Sequence, residues 1–290
     1  IKAGLWAGAD MDKESAPMLF DRGAVAPGVN AGYVEASNGS KQFPGTIYQW
    51  NPGTQPFMKV NRDGVRFANE GCPYNDIVFA AANQKGGVGK STTAINLSSC
   101  LGEMGQKVLT IDMDPQGNTT SGMGVEKNEV ENTIYELLLG ESKLEDCIIP
   151  LNFDNLSLIP SNVNLAGAEI ELIGVEDKEF ILKNAIDQVR DQYDFIIIDC
   201  PPSLNMLTIN AMTTADTVLV PIQCEYYALE GLSQVLKTVN LVQKKLNPAL
   251  EVEGVVFTMY DSRTNLSLEV VENVKEHLNE NIYKTIIPRN

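Results

Sequence analysis

The run Lys85-Gly86-Gly87-Val88-Gly89-Lys90-Ser91-Thr92 has the residue types and spacing to hold a polyphosphate. Its glycines let backbone N–H groups curl around an anion, while Lys90 reaches the outer phosphates and Ser91 a Mg²⁺ ion. The usual pattern, G-x-x-x-x-G-K-[ST], asks for glycine where this chain has Gln84, and Lys85 follows. An ordinary phosphate loop has no use for a second lysine at that place. Two aspartates could complete such a site. Asp199 ends the apolar run Phe195-Ile196-Ile197-Ile198 and precedes Cys200-Pro201-Pro202; a carboxylate there can hold Mg²⁺ through water. Asp114 lies in Ile111-Asp112-Met113-Asp114-Pro115-Gln116-Gly117-Asn118, and a carboxylate beside a γ-phosphate can orient or deprotonate the attacking water. For Asp112 a structural role, as a strand-terminal partner or a brace for its loop, is as natural as a place in the chemistry.

These residues need strands that deliver them to one edge. From residue 77 onward the pattern alternates short apolar runs with helical periodicity. Buried strands are expected at 77–82, 108–111, 156–159, 195–198, 217–220, 255–260 and 285–287, and helices at 90–105, 178–189, 229–245 and 268–278. That alternation predicts an α/β fold, a mostly parallel sheet with helices on both faces. Ligands in such folds bind beyond the carboxyl ends of the strands, where the loop at 85–92 falls. The first 76 residues differ in character. They hold both tryptophans, 10 of the 23 glycines and 6 of the 14 prolines, which predicts a loop-rich fragment with no independent core.

Composition narrows the class. No apolar run approaches the ~18 residues of a membrane span. Five scattered cysteines, odd in number and never spaced C-x-x-C, point to a reducing cytoplasm with neither a disulfide framework nor a zinc site. A single histidine, His277, excludes histidine-based metal clusters and Ser-His-Asp catalysis. The formal net charge of −16 argues against a generally basic nucleic-acid binder and leaves local basic patches open.

The motifs together resemble the deviant-Walker ATPases, and closely the ParA/Soj partition proteins. The carriers are Ala82-Asn83-Gln84 with the glycine loop, 112–118, and Asp199-Cys200-Pro201-Pro202-Ser203. They are joined by the more specific runs 223–231, Thr258-Met259-Tyr260-Asp261-Ser262-Arg263-Thr264 and Ile287-Pro288-Arg289-Asn290. The resemblance covers about residue 77 to the last residue and implies a P-loop-type fold that binds and hydrolyses ATP with Mg²⁺. It supplies the role for Lys85: in these proteins two subunits sandwich ATP, and the signature lysine crosses to the partner's phosphates, as an arginine finger does. Lys90 would contact its own subunit's phosphates, Ser91 and Asp199 would manage Mg²⁺, and Asp114 would position water. Residues 85–92, Met259, Pro288 and Asn290 would contact the nucleotide. The resemblance also implies an ATP-dependent homodimer, a ParB-type partner and non-specific DNA binding on the nucleoid, with Arg263 and Arg289 as candidate DNA contacts and no membrane attachment.

Two features depart from that family. The sequence stops inside the 287–290 motif, where family members continue with a further strand and helix, and it begins with Ile1 rather than methionine. Residues 1–76, above all Val60-Asn61-Arg62-Asp63-Gly64-Val65-Arg66-Phe67-Ala68-Asn69-Glu70, resemble an internal piece of a fumarate-reductase-type flavoprotein. The FAD-binding glycine fingerprint is missing, so no FAD is expected, and Glu70 reads as a solvated carboxylate. A chimera joined near 75–87 is therefore expected. Alternatives are an inactive or binding-only relic and a MinD-like ATPase.

Overall fold

The computed structural model describes residues 77–152, 155–225, 228–277 and 282–289, together with the backbone of a short antiparallel pair, Val34–Glu35 and Lys41–Gln42. The chain divides into two units, Ile1–Tyr74 and Asn75–Asn290. The flavoprotein-like run, Glu70 and Asn290 lie outside the described residues.

The second unit is built on one eight-stranded sheet. Its strands are β1 (Ile77–Ala81), β2 (Val108–Asp112), β3 (Ile149–Pro150), β4 (Leu156–Ile159), β5 (Phe195–Asp199), β6 (Thr217–Gln223), β7 (Glu251–Tyr260) and β8 (Ile282–Pro288). They lie in the order β8-β7-β6-β1-β5-β2-β4-β3. Every neighbouring pair is parallel except β3 with β4. Pro150 stands on that antiparallel edge strand, where a missing N–H breaks no ladder.

The strands read as unbroken apolar runs because both faces are covered, and their two-residue period sorts side chains into two layers. Val78, Ala80, Leu109, Ile111, Ile196 and Ile198 join one large core. Ile77, Val108, Phe195 and Ile197 join a smaller one on the other face, which α1 (Lys90–Glu103) covers with Ala94, Leu97 and Leu101. Phe79 and Phe195 stack there, ring centroids 6.1 Å apart. The larger core takes α3 (Ile134–Leu139), α4 (Leu144–Cys147), α5 (Leu165–Glu171), α6 (Ile181–Ile186), α7 (Met206–Thr214), α8 (Ala228–Lys245) and α9 (Asn265–His277). In α8 the buried residues Ala228, Gly231, Leu232, Val235, Val239 and Val242 recur at helical spacing. The short α2 (Asn118–Gly122) follows the Asp114 loop.

One expected helix is cut short. Residues 178–189 form a 3₁₀ turn (Lys178–Phe180) followed by α6, which ends at Ile186. The 3₁₀ start is set by Asn210 on α7. Its side chain accepts from the Leu182 N–H at 3.2 Å and donates to the Lys178 carbonyl at 2.9 Å. A tertiary partner thus takes backbone groups that a longer helix would pair internally.

Candidate active site

The register sets three strand ends side by side. Ala81 of β1 lies opposite Asp199 of β5, and Asp199 opposite Asp112 of β2. The glycine loop springs from β1 at that edge. Asn83, nearly buried, donates to the Pro221 carbonyl at 2.7 Å and accepts the Lys85 N–H at 3.0 Å, so it turns the chain away from the sheet. Gly87 and Gly89 have φ of 75° and 87°, a region that L side chains rarely enter. Gly89 also caps α1, whose first turn carries no acidic residue. Loop and helix N-terminus together form a cradle of N–H groups suited to an anion. Lys90 is buried beneath it and donates its Nζ to the Lys85 carbonyl at 2.9 Å. Burial lowers the Lys90 pKa, and the carboxylates of Asp199 and Asp114 oppose that shift. Ser91 is half-buried and Thr92 exposed.

The three aspartates are all buried. Asp199 accepts the Thr119 hydroxyl on Oδ2 at 2.7 Å, while among the described residues its Oδ1 finds no hydrogen-bond partner. Burial pushes the Asp199 carboxyl up to about 6 against the pull of the nearby Ser91 and Thr119 hydroxyls. Ser91 is thus near enough to act on this carboxylate without satisfying Oδ1 geometrically. An orphaned buried carboxylate oxygen beside a serine hydroxyl at a polyphosphate cradle fits a Mg²⁺ ion, which keeps several waters and takes one or two protein ligands. Asp112 differs. Its Oδ2 accepts the Thr120 N–H at 2.8 Å and the Thr120 hydroxyl at 2.7 Å, and its Oδ1 the Asp114 N–H at 3.1 Å. It braces the loop, and burial followed by the Asp199 charge raises it to about 7.

A pH dependence follows. Both carboxyls titrate above their ordinary value near 4. Their favourable contribution to the unliganded fold is complete below ~4 and is lost as pH rises through about 6 to 7. A metal held by Asp199 would need the carboxylate and so would displace its proton. Affinity for Mg²⁺-nucleotide is expected to rise up to about tenfold per pH unit below about 6 and to level off above. Titrations from pH 5 to 8, repeated with nucleotide and EDTA, check this; the metal-free series should lack the slope.

The Asp114 loop is stitched from several sides. Asp114 Oδ1 accepts the Gln116 N–H at 2.9 Å, and its carbonyl accepts the Ser161 hydroxyl at 2.8 Å and the Gly117 N–H at 2.9 Å. The Thr120 hydroxyl accepts the Ser161 N–H at 2.9 Å while donating to Asp112. Gly117 is left-handed, with φ 60°, and a Cβ there would stand 2.9 Å from the Ser161 carbonyl oxygen. Gly117→Ala should therefore destabilise by about 1–3 kcal/mol. Gly124→Ala, at φ 83° with open space around it, should lose only about 1 kcal/mol. Denaturant unfolding of the two variants measures the difference. Thr119, Thr120 and Ser161 are site residues that sequence reasoning missed. Their position just after the 112–118 run offered a local signal for the threonines only.

The 258–264 motif and residues 287–289 meet at the ends of β7 and β8. Arg263 grips Asp261 with three hydrogen bonds, N–H to Oδ1 at 3.0 Å, Nε to Oδ1 at 2.9 Å and Nη2 to Oδ2 at 2.7 Å, with its side chain 86% exposed. This grip holds the Asp261 carboxyl below the usual carboxylate range, and the Arg289 charge adds to it. The Arg289 N–H donates to the Tyr260 carbonyl at 2.9 Å. The two arginines predicted separately therefore share one acidic neighbour. Met259 is half-buried with φ 51°, and Pro288 pairs in register with Tyr260.

A glycine loop after β1, a buried loop lysine and carboxylates on the adjacent strand ends define a P-loop nucleoside triphosphatase. The family profile described as an AAA domain matches residues 77–252. The sporulation initiation inhibitor protein Soj of Bacillus subtilis is 54% identical over 213 residues, 73% of this chain and 84% of that protein. The chromosome partitioning protein ParA of Myxococcus xanthus is 47% identical over 213 residues, 73% of this chain and 75% of its own. Among solved structures, cobyrinic acid a,c-diamide synthase from Mycobacterium smegmatis, with bound ATP analogue and magnesium, is 39% identical with a TM-score of 0.70, covering 74% of this chain and 87% of that one. The chain belongs to the ParA/Soj family of partition ATPases. Among the described residues no helix is long and apolar enough to cross a membrane.

Proposed function

We propose that this ATPase works as a nucleotide-dependent dimer switch in chromosome or plasmid segregation. The observation that carries the reading is the convergence of the left-handed glycine loop, buried Lys90 and the unpartnered Asp199 Oδ1 at one sheet edge. The N–H groups of 86–92 bind the polyphosphate, and Lys90 offsets its charge from below. Ser91 and Asp199 would hold Mg²⁺, which when bound neutralises phosphate charge during transfer. Asp114 orients the attacking water, and Lys85 reaches the phosphates of a second copy. Met259, Pro288 and Asn290 contact the base side of the nucleotide. We assign the ATPase unit to residues 77–290 and treat 1–76 as a separate fragment.

Arg263 and Arg289 are the proposed contacts to non-specific DNA on the nucleoid, and a ParB-type protein is the proposed activator. The exposed Arg263–Asp261 pair is no obstacle, because such surface pairs are weak and screened by salt. The test uses the full chain: ATP turnover and sedimentation with ATP or ADP, with and without duplex DNA at two salt concentrations. The reading expects a dimer with ATP, a monomer with ADP, and DNA binding by the ATP form alone that weakens as salt rises. A chain that binds no ATP, or binds it and stays monomeric, contradicts the switch.

A further inference from the structure

The crown of the phosphate loop is held by a residue far from it in sequence. Thr258, near the end of β7, is buried, and its hydroxyl donates to the Val88 carbonyl at 2.8 Å across 170 positions of chain. Its methyl carbon stands 3.6 Å from where a Cβ on Gly89 would be, so it backs the second left-handed glycine of the loop. The strand end that presents Thr258 is itself fixed on both sides. The Thr258 carbonyl accepts the Cys224 N–H at 3.4 Å, and the Tyr260 carbonyl accepts the Arg289 N–H at 2.9 Å. Between them Met259 takes its φ of 51°, a conformation that a non-glycine residue keeps only where its surroundings impose it.

We propose that Thr258 is a positioning residue for ATP: its hydroxyl fixes the orientation of the Val88–Gly89 peptide. In a trans peptide the C=O and the following N–H point in opposite directions. Anchoring the Val88 carbonyl against β7 therefore aims the Gly89 N–H away from the sheet and into the anion cradle. Without the hydroxyl that peptide is free to flip, which turns a carbonyl oxygen toward the phosphates and opposes binding. The inference rests on the phosphate-loop reading given above and adds a residue that the loop motif does not contain.

The test measures displacement of a fluorescent ADP from the full chain by ADP and by Mg²⁺-ATP, together with kcat. Thr258→Val keeps the shape and removes the donor; Thr258→Ser keeps the donor and removes the methyl. Thr258→Val should weaken ADP and ATP alike by about tenfold, the scale of one lost hydrogen bond, with kcat at saturation within about twofold, as for an interaction lost equally from ground and transition states. Thr258→Ser should bind within about threefold of wild type. Thr258→Ala against Thr258→Ser reads the hydroxyl a second time, so the outcome does not hang on the folding of Thr258→Val. Equal losses in the serine and alanine variants, or wild-type affinity in the valine variant, would overturn the proposal. A wild-type chain that binds no ADP overturns the phosphate-loop reading itself, a separate and recognisable result.

Discussion

Replacing Lys85 with alanine is expected to abolish ATP turnover while leaving nucleotide binding within about threefold of wild type, a loss on the order of 10³-fold in kcat. Lys85 holds the loop through its backbone: its N–H is taken by Asn83 and its carbonyl by Lys90. Truncating the side chain leaves both in place. The cradle of its own subunit is already served by the buried Lys90. The Lys85 stem instead runs beside the start of α8, with Cγ and Cδ 3.7 and 3.8 Å from where a Cβ on Gly231 would be. On the proposed reading the Lys85 cation would act in a partner's site on charge that develops in the transition state, so its removal should fall on kcat. Steady-state turnover beside equilibrium nucleotide binding separates the two. A kcat within tenfold of wild type would contradict the assignment.

The second large effect is expected at Asp114. Asp114→Ala should slow hydrolysis by about 10²–10⁴-fold, the range for a lost general base or water-orienting group, and should leave an ATP-bound dimer that persists. The loop survives the change because its main ties are elsewhere. The Asp114 carbonyl keeps the Ser161 hydroxyl and the Gly117 N–H, and Asp112 keeps Thr120. Among the described residues, the side-chain bond that disappears is the one from the Gln116 N–H to Oδ1, worth about 1 kcal/mol. Sedimentation after a single addition of ATP checks this: wild type should decay to monomer while the variant stays dimeric. A variant that returns to monomer at the wild-type rate would remove Asp114 from the chemistry.

Much of this was legible because the chemistry sits on regular elements. The run at 195–198 is apolar at every position, and β5 is buried throughout, as a central parallel strand must be. Its terminal Asp199 could be placed at the sheet edge from sequence alone. Other elements carried weaker signals. The helix α3 begins with a Thr133–Glu136 capping box that the sequence displays openly, yet the helix spans only Ile134–Leu139, too short for periodicity to show. The helix α7 is buried on nearly every side, with Leu207, Thr208, Asn210, Ala211 and Met212 all covered, so it has no polar face to betray a helical period. The partners of the candidate site residues were harder still. Thr119 meets Asp199 across 80 positions and Thr258 meets Val88 across 170. Such contacts depend on strand order, which no local pattern encodes.

The claim that Lys85 works on the other subunit's ATP can be read directly by mixing two dead variants before ATP is added. In a dimer of one Lys85→Ala and one Asp114→Ala subunit, the first subunit's site keeps Asp114 and receives Lys85 from its partner. The opposite site lacks both. Equal mixing should restore about a quarter of the wild-type first-turnover amplitude, because half of randomly formed two-fold dimers are mixed and each has one complete site. Turnover no greater than the sum of the two variants measured apart would contradict a lysine acting across the interface.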